Sequence, residues 1–414
     1  MGNEASQPTS SKKIENDIKI NWKQLSKCPF QPREGQCCAS IRNKLYIFGG
    51  VICGAEQQTA NNKESNQLIS FDVESNKWEE VKVSNEIPEP RSGATLSAVG
   101  DKLYLFGGLS ENHGWLNDMY VFEITSGKWS KVSKFEGEPP CPRDKLTSGV
   151  FGTDVYYFGG FGPGASPTEL EDIPEDDGDE NYEDEEIQEF EQEQQAAMFT
   201  WFNDVYRFDT LTQRWDWLHS GTNRLSPSPR AAHTMCTMDQ SLIVFGGRDS
   251  VGRKNDVWSF SVATNEWTEL TTLGYAPEPR SFHAAAAVSG RIVILGGRGI
   301  DNTHFKDFHV YDLDTNQWFQ PNFSDDAATP PAMGLHSLSA VKNHLLLCFG
   351  TSDLDPVLNS CTTFYTDCYA VPVENILTGG ALKKEETEQQ QENEQQSSLP
   401  AFLNLQPTSN SSNN

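Results

Sequence analysis

The chain has 414 residues, nine cysteines and a formal net charge of −27. So acidic a chain lacks the basic footprint of a nucleic-acid binder, and no apolar run is long enough for a membrane-spanning helix. The odd cysteine count, with no CxxC pair, argues for free thiols in a reducing compartment rather than a disulfide framework. The stretch near Met1 lacks an apolar secretory core, and a cytoplasmic location is expected, with nuclear or weak membrane association left open.

Residues 1–17 are polar and are expected to be disordered. Met1-Gly2-Asn3-Glu4-Ala5-Ser6 fits the N-myristoylation pattern at Gly2, and an unmodified flexible terminus fits equally well. One acyl chain would give only marginal membrane binding. Residues 18–25 read as a strand ending in Trp22-Lys23-Gln24-Leu25. A six-letter phrase then recurs: LYIFGG at 45–50, LYLFGG at 103–108, VYYFGG at 155–160, LIVFGG at 242–247 and IVILGG at 292–297. LLLCFG at 345–350 is read as a sixth copy with Thr351 in place of the second glycine. Each phrase is a continuous run of strand-favouring residues ended by glycine, as suits a strand buried on both faces.

The phrases have companions at fixed offsets. Pro-Arg pairs precede five of them, at Arg33, Arg91, Arg143, Arg230 and Arg280, and a lone tryptophan follows, at Trp78, Trp129, Trp215, Trp267 and Trp318. The second glycines and Thr351 are spaced by 58, 52, 87, 50 and 54 residues. The step of 87 contains an acidic, glutamine-rich insertion at 168–198, expected to be disordered. Fifteen acidic residues between Glu169 and Glu193 leave only −12 for the rest of the chain. The segment reads as a solvated loop, with a gate that repels acidic ligands as the other reading. Residues 374–414 are rich in Gln, Glu, Ser and Asn and are expected to form a disordered tail.

A period of roughly 50 residues with a double glycine and a late tryptophan resembles the kelch repeat, one propeller blade per copy. The resemblance implies an all-β, six-bladed kelch β-propeller over 18–373. The first segment has a tryptophan strand without glycines, and the sixth copy has glycine without a following tryptophan. The N-terminal strand is therefore expected to complete the sixth blade and close the ring, leaving no exposed edge.

No nucleophile elbow, HExxH, P-loop or strand–helix GxGxxG is present, so no catalytic residue, metal ligand or cofactor is assigned. His233, His283 and His336 recur at one repeat position, which points to a structural role, and so do the repeated arginines. What does not repeat is more informative. Arg248 and Arg253 lie five residues apart just after the fourth glycine pair, Arg291 and Arg298 add basic character, and Lys145 stands where later repeats hold small or apolar residues. Planar guanidinium groups suit a carboxylate. Scattered surface charge paired with Asp249 and Asp301 is the other reading.

Within the kelch group the sequence is similar to the substrate receptors of cullin-2 ubiquitin ligases that read C-terminal degrons. Asp144-Lys145-Leu146, Phe202-Asn203-Asp204, Ser228 to His233, Phe245 to Arg248, Arg253 and Arg280-Ser281-Phe282-His283 carry this likeness. It implies a peptide-carboxylate pocket of Arg248, Arg253, Ser281 and Lys145, with Phe202 and Phe282 as walls where the family has tryptophan. It implies protein C-termini as partners and a cullin-ligase adaptor as a further one, yet no adaptor-binding box is evident after Val373. A scaffold for a small GTPase or phosphatase, and a kelch-fold enzyme such as a metal-dependent oxidase or mutarotase, are the alternatives.

Overall fold

A computed structural model of the chain describes residues 19–53, 62–164, 199–219, 221, 225–324, 328–357 and 360–376. Gly2, the acidic insertion at 168–198 and the tail beyond 376 lie outside the described residues.

Six four-stranded antiparallel units account for the repeats. Sheet one is Cys37–Ile41, Lys44–Phe48, Leu68–Asp72 and Lys77–Glu80; sheet two is Thr95–Val99, Lys102–Phe106, Met119–Glu123 and Lys128–Lys131. Sheet three is Thr147–Phe151, Asp154–Pro163, Phe199–Asp209 and Arg214–His219; sheet four is Thr234–Met238, Ser241–Arg248, Arg253–Ser261 and Glu266–Glu269. Sheet five is Ala284–Val288, Arg291–Leu295, Phe308–Asp312 and Gln317–Phe319, with Leu273–Gly274 added in parallel at its outer edge. Sheet six is Ser337–Val341, His344–Cys348 and Cys368–Pro372, and its outer strand is Lys23–Gln24 from the other end of the chain. The apolar phrases are the second strands, flanked on both sides and buried. Two-residue hairpins such as Arg42-Asn43 and Ser289-Gly290 join first to second strands, and positive φ at Arg42, Ser289 and Gly290 matches the strand twist.

The late tryptophan of each sheet packs on an aromatic ring of the sheet before it. Trp129 meets Phe48, Trp215 meets Phe106, Trp267 meets Phe158 and Trp318 meets Phe245. Trp22 meets Phe308, and Trp78 of sheet one meets Phe349 of sheet six. Centroid separations span 4.9 to 6.0 Å. These contacts are the main apolar seams between sheets.

Next to these seams runs a cycle of backbone hydrogen bonds. The amides of Gly35, Gly93, Lys145, Ala232, Phe282 and Leu335 donate in turn to the carbonyls of Leu335, Gly35, Gly93, Lys145, Ala232 and Phe282. All six residues have φ between 53° and 64°. Only two are glycine, so four side chains are held in a backbone conformation that L residues disfavour. Three of them, Lys145, Ala232 and Phe282, follow one another between sheets three and five.

Each Pro-Arg arginine is buried and clamps its own sheet. Arg91, Arg143, Arg230 and Arg280 donate to the carbonyls of Gly107, Gly159, Gly246 and Gly296 and pair with Asp118, Asp204, Asp256 and Asp307. In sheet one Arg33 reaches Gly49 and the neutral Gln67, and burial holds its pKa down to about 10. In sheet six Met333 takes the position. The sixth phrase also differs from the sequence reading. Phe349, at φ 61°, replaces the first glycine, and Gly350, at φ 106°, is the second; Thr351 follows the pair. Regular structure continues past 373, where Glu374 to Ile376 form a helical turn. Ile376 is buried in the core of sheets five and six, and its carbonyl accepts a hydrogen bond from Arg291.

Two of the three repeated histidines stitch neighbouring sheets. His233 Nε2 lies 2.8 Å from Thr147 Oγ1 and His283 Nε2 lies 2.9 Å from Thr234 Oγ1. Gln36 fills the same repeat position and donates to Ser337 Oγ at 2.8 Å. Burial pushes His233 and His336 down to about 3, and His283 well below the usual range. These groups stay neutral in the folded chain, whereas the unfolded chain protonates them below about pH 6.5. The stability they permit is therefore present above pH 6.5 and is lost as pH falls toward 3. The loss is about 1.4 kcal/mol per histidine per pH unit. Glu34 and Glu64, raised by burial, act in the opposite sense at lower pH. Urea denaturation should give a lower unfolding free energy at pH 5 than at pH 7, by about 2 kcal/mol per histidine. Replacing all three histidines by glutamine, the residue sheet one uses, should flatten that dependence.

Candidate anion site at one end of the sheets

The site follows from how each glycine pair meets the Pro-Arg segment. The residue after the pair forms a bridge with the residue after the arginine: Leu109 with Ser92, Phe161 with Asp144, Arg248 with Ala231, Arg298 with Ser281 and Thr351 with Gly334. A Cβ on Gly247 would lie 2.9 Å from the Ala231 carbonyl and 2.7 Å from His233 Cβ. Only glycine lets the strand come this close, and the side chain just beyond, Arg248, is thereby set at the end of the sheet. The same end carries the starts of the third strands, where Arg253 is the cross-strand partner of Arg248.

Three arginines meet here. Arg253 donates from Nε to Ser281 Oγ at 2.9 Å, from Nη2 to Asn302 Oδ1 at 2.8 Å and from Nη1 to the Ile300 carbonyl at 3.4 Å. Ser281 is fully buried. Arg298 is only 9% exposed, lies 5.1 Å over the Phe282 ring, and donates from Nη2 to Cys361 Sγ at 3.5 Å. Its Nε has no acceptor. Burial first, then repulsion from Arg298 and Arg248, lowers the pKa of Arg253 to about 10. Burial and Arg298 together bring His304 to about 4, so it adds no charge at neutral pH.

Among the described residues, no carboxylate lies within 4 Å of Arg248, Arg253 or Arg298. Arg42, Arg91, Arg143, Arg207, Arg214, Arg230, Arg280 and Arg291 are all paired. The two nearest aspartates make their hydrogen bonds elsewhere, Asp249 with Lys254 and Ser228 and Asp301 with Thr303, and Asp301 attracts Arg253 only at longer range. Arg248 is exposed, but Arg253 is half-buried and Arg298 buried; buried cations without counter-ions are costly, and an anion from outside would relieve that cost.

Of the residues expected to form the pocket, Arg248, Arg253, Ser281 and Phe282 are together. Lys145 belongs to the same backbone cycle, two steps from Phe282, but its ammonium is paired with the buried Asp144 carboxylate. Phe202 is placed differently: its ring lies 3.7 Å from the Arg143 guanidinium, as Phe305 lies against Arg280. The neighbouring aromatic wall consists of Trp115, Phe161, Phe199 and Trp201, with Trp115 Nε1 donating to Asp144 at 3.1 Å. Arg298 is the functional candidate that sequence reading noted only as basic character. Its distinguishing property is burial without a carboxylate within 4 Å among the described residues.

The model of the KLHDC2/KLHL20/DRC7 Kelch-repeats domain matches residues 35–175 and 192–364, more than half of the chain. The chain belongs to this kelch-repeat family. Kelch repeats serve in general as protein-interaction modules, and those of this chain share 29% identity over 334 residues with Kelch domain-containing protein 1 of Homo sapiens, covering 79% of this chain and 77% of that protein. Kelch domain-containing protein 2 of Bos taurus is 28% identical over 60% of this chain and 58% of its own length. Host cell factor 2 of Homo sapiens is 26% identical over 62% of this chain, in a protein of which the match spans 29%.

Proposed function

We propose that this kelch chain is a six-bladed propeller, closed by its N-terminal strand, that binds the free C-terminus of a partner protein at Arg248, Arg253, Arg298 and Ser281. The cycle of backbone hydrogen bonds through all six repeats and the Lys23–Gln24 pairing support the closed ring. The reading of the site rests on one observation: among the described residues, three adjacent arginines have no carboxylate within 4 Å, whereas every other described arginine except Arg33 has one. A peptide carboxylate supplies that partner, accepts the forked guanidinium donors and needs no chemistry from the protein. The likeness to C-degron receptors favours a substrate receptor for ubiquitin ligation as the setting, and affinity purification scored for cullin-ligase adaptors addresses that setting separately. The site itself is tested with a library of peptides carrying free or amidated C-termini. Free peptides should bind at least tenfold more tightly, as expected for a charge-assisted pair that loses one partner; equal affinity for both would reject the carboxylate site.

A further inference from the structure

A cavity of about 590 Å³ lies next to the arginines, between the loops of sheets five and six. Asp301, Asn302, His304, Ser352, Asp353 and Tyr365 line it, and Leu354 and Pro356 add apolar surface. Asn302 belongs to both places, since its Oδ1 accepts the Arg253 hydrogen bond while the residue faces the cavity. The two spaces therefore share a wall one side chain thick.

Their charges are opposite and separate. Asp353 accepts hydrogen bonds from Thr363 Oγ1 at 2.6 Å and Ser352 Oγ at 3.1 Å, and Asp301 accepts from Thr303 Oγ1 at 2.7 Å. These neutral donors hold both carboxylates below the usual range, Thr363 leading for Asp353 and Thr303 for Asp301. Neither carboxylate has a cation within 4 Å among the described residues, although unpaired arginines stand next door. His304 in the wall stays neutral. The loop thus keeps an anionic lobe and a cationic lobe side by side without a direct ion pair, Asp301 feeling Arg253 only at longer range.

We propose that this cavity receives a lysine or arginine side chain of the same peptide whose carboxylate lies at the arginines. The inference deepens the proposed carboxylate reading by naming the class of peptide. A basic side chain has a long aliphatic stem for Leu354 and Pro356 and a cationic head for Asp301 and Asp353. An extended peptide advances about 3.3 Å per residue, so the basic residue stands a few positions before the C-terminus.

The test is a short peptide that binds with a free C-terminus, scanned with Arg, Ala and Glu at each residue preceding the last. At one position Arg should bind about fivefold more tightly than Ala, the upper range for a partly exposed ion pair, and Glu more weakly than Ala. In the Asp301→Asn/Asp353→Asn protein that preference should vanish while the ratio of free to amidated affinity is retained. Asparagine keeps most of the loop's hydrogen bonds and tolerates the positive φ of Asp353 (57°). Arg no better than Ala at every position would overturn the proposal. So would an equal change for all peptides in the variant, which would make the aspartates general counter-charges for the arginines. The scan is repeated on amidated peptides, so that loss of carboxylate dependence counts against the arginine site alone while the Arg preference still decides the cavity.

Discussion

A chain that starts at Ser26 will lose most of its stability, whereas one that starts at Ile18 will melt like the full-length protein. The first deletion removes Trp22, 1% exposed, and Ile20, fully buried, from the core of sheets five and six. It strips the outer strand from Cys368–Pro372 and cuts the bonds from Leu25 N to the Cys368 carbonyl and from Gln24 to Asp367. It also removes the acceptors for Ser324 N and Ala328 N, the carbonyls of Ile20 and Trp22. Loss of a buried tryptophan costs about 3–5 kcal/mol and of a buried isoleucine about 2–5 kcal/mol. That sum approaches the whole stability of an ordinary domain, about 5–15 kcal/mol. Deleting residues 1–17 touches none of these contacts. Thermal unfolding of the two truncations against the full chain measures the difference, and unchanged melting of the longer deletion would show that the N-terminal strand is not what closes the proposed ring. Trp22→Ala in the full chain should reproduce about 3–5 kcal/mol of the loss.

Arg253→Ala should weaken binding of a free C-terminal peptide by well over tenfold with little effect on folding. Its guanidinium makes three contacts within the chain, to Ser281, Asn302 and Ile300. All three partners sit at the end of the sheets or in a loop, so their loss costs little in the core. In the complex the guanidinium is the central of three cations, and removing one partner of a partly desolvated charge pair costs on the order of 2–5 kcal/mol. Amidating the peptide removes the other partner. Combining the two changes should cost less than their sum, because both break a single interaction. Calorimetric titration of free and amidated peptide against wild type and Arg253→Ala closes the cycle. Full additivity would mean that Arg253 and the carboxylate do not meet, and that the binding surface lies elsewhere.

The repeats were legible because their chemistry is local. A glycine pair after an apolar run, an arginine upstream and a tryptophan downstream each specify a backbone conformation or a buried contact within one sheet. The pairing of the two chain ends could be inferred from what each lacked. The wall of the site was harder to read. Successive residues of a strand face opposite ways, so an error of one position separates Trp201, packed on Phe161, from Phe202, packed on Arg143. Arg298 looked like one more surface charge, because nothing in its neighbours announces that it is buried. The cavity is assembled from residues 301–304 and 352–365, whose approach depends on the order of sheets in space and leaves no local pattern. Ile376 was hidden in a polar context, and its burial against sheets five and six leaves no local pattern in the sequence.

Met333 has a consequence for how the molecule breathes. Four sheets are riveted by an arginine that holds both a glycine carbonyl and a carboxylate, sheet one by an arginine with only an amide, and sheet six by none. Sheet six also carries a phenylalanine where its siblings have the first glycine, and its outermost strand arrives from the far end of the chain. Sheet six is therefore the least clamped of the sheets, and its own strands are expected to open locally at a smaller free-energy cost than those of sheets two to five. Sheet six also supplies Asp353 and Tyr365 to the cavity and Cys361 to Arg298. Fluctuations of sheet six would therefore reach Asp353, Tyr365 and Cys361 before they reach Arg248 and Arg253 on sheet four. On the proposed reading, a peptide would meet a firmer socket for its end than for its basic side chain.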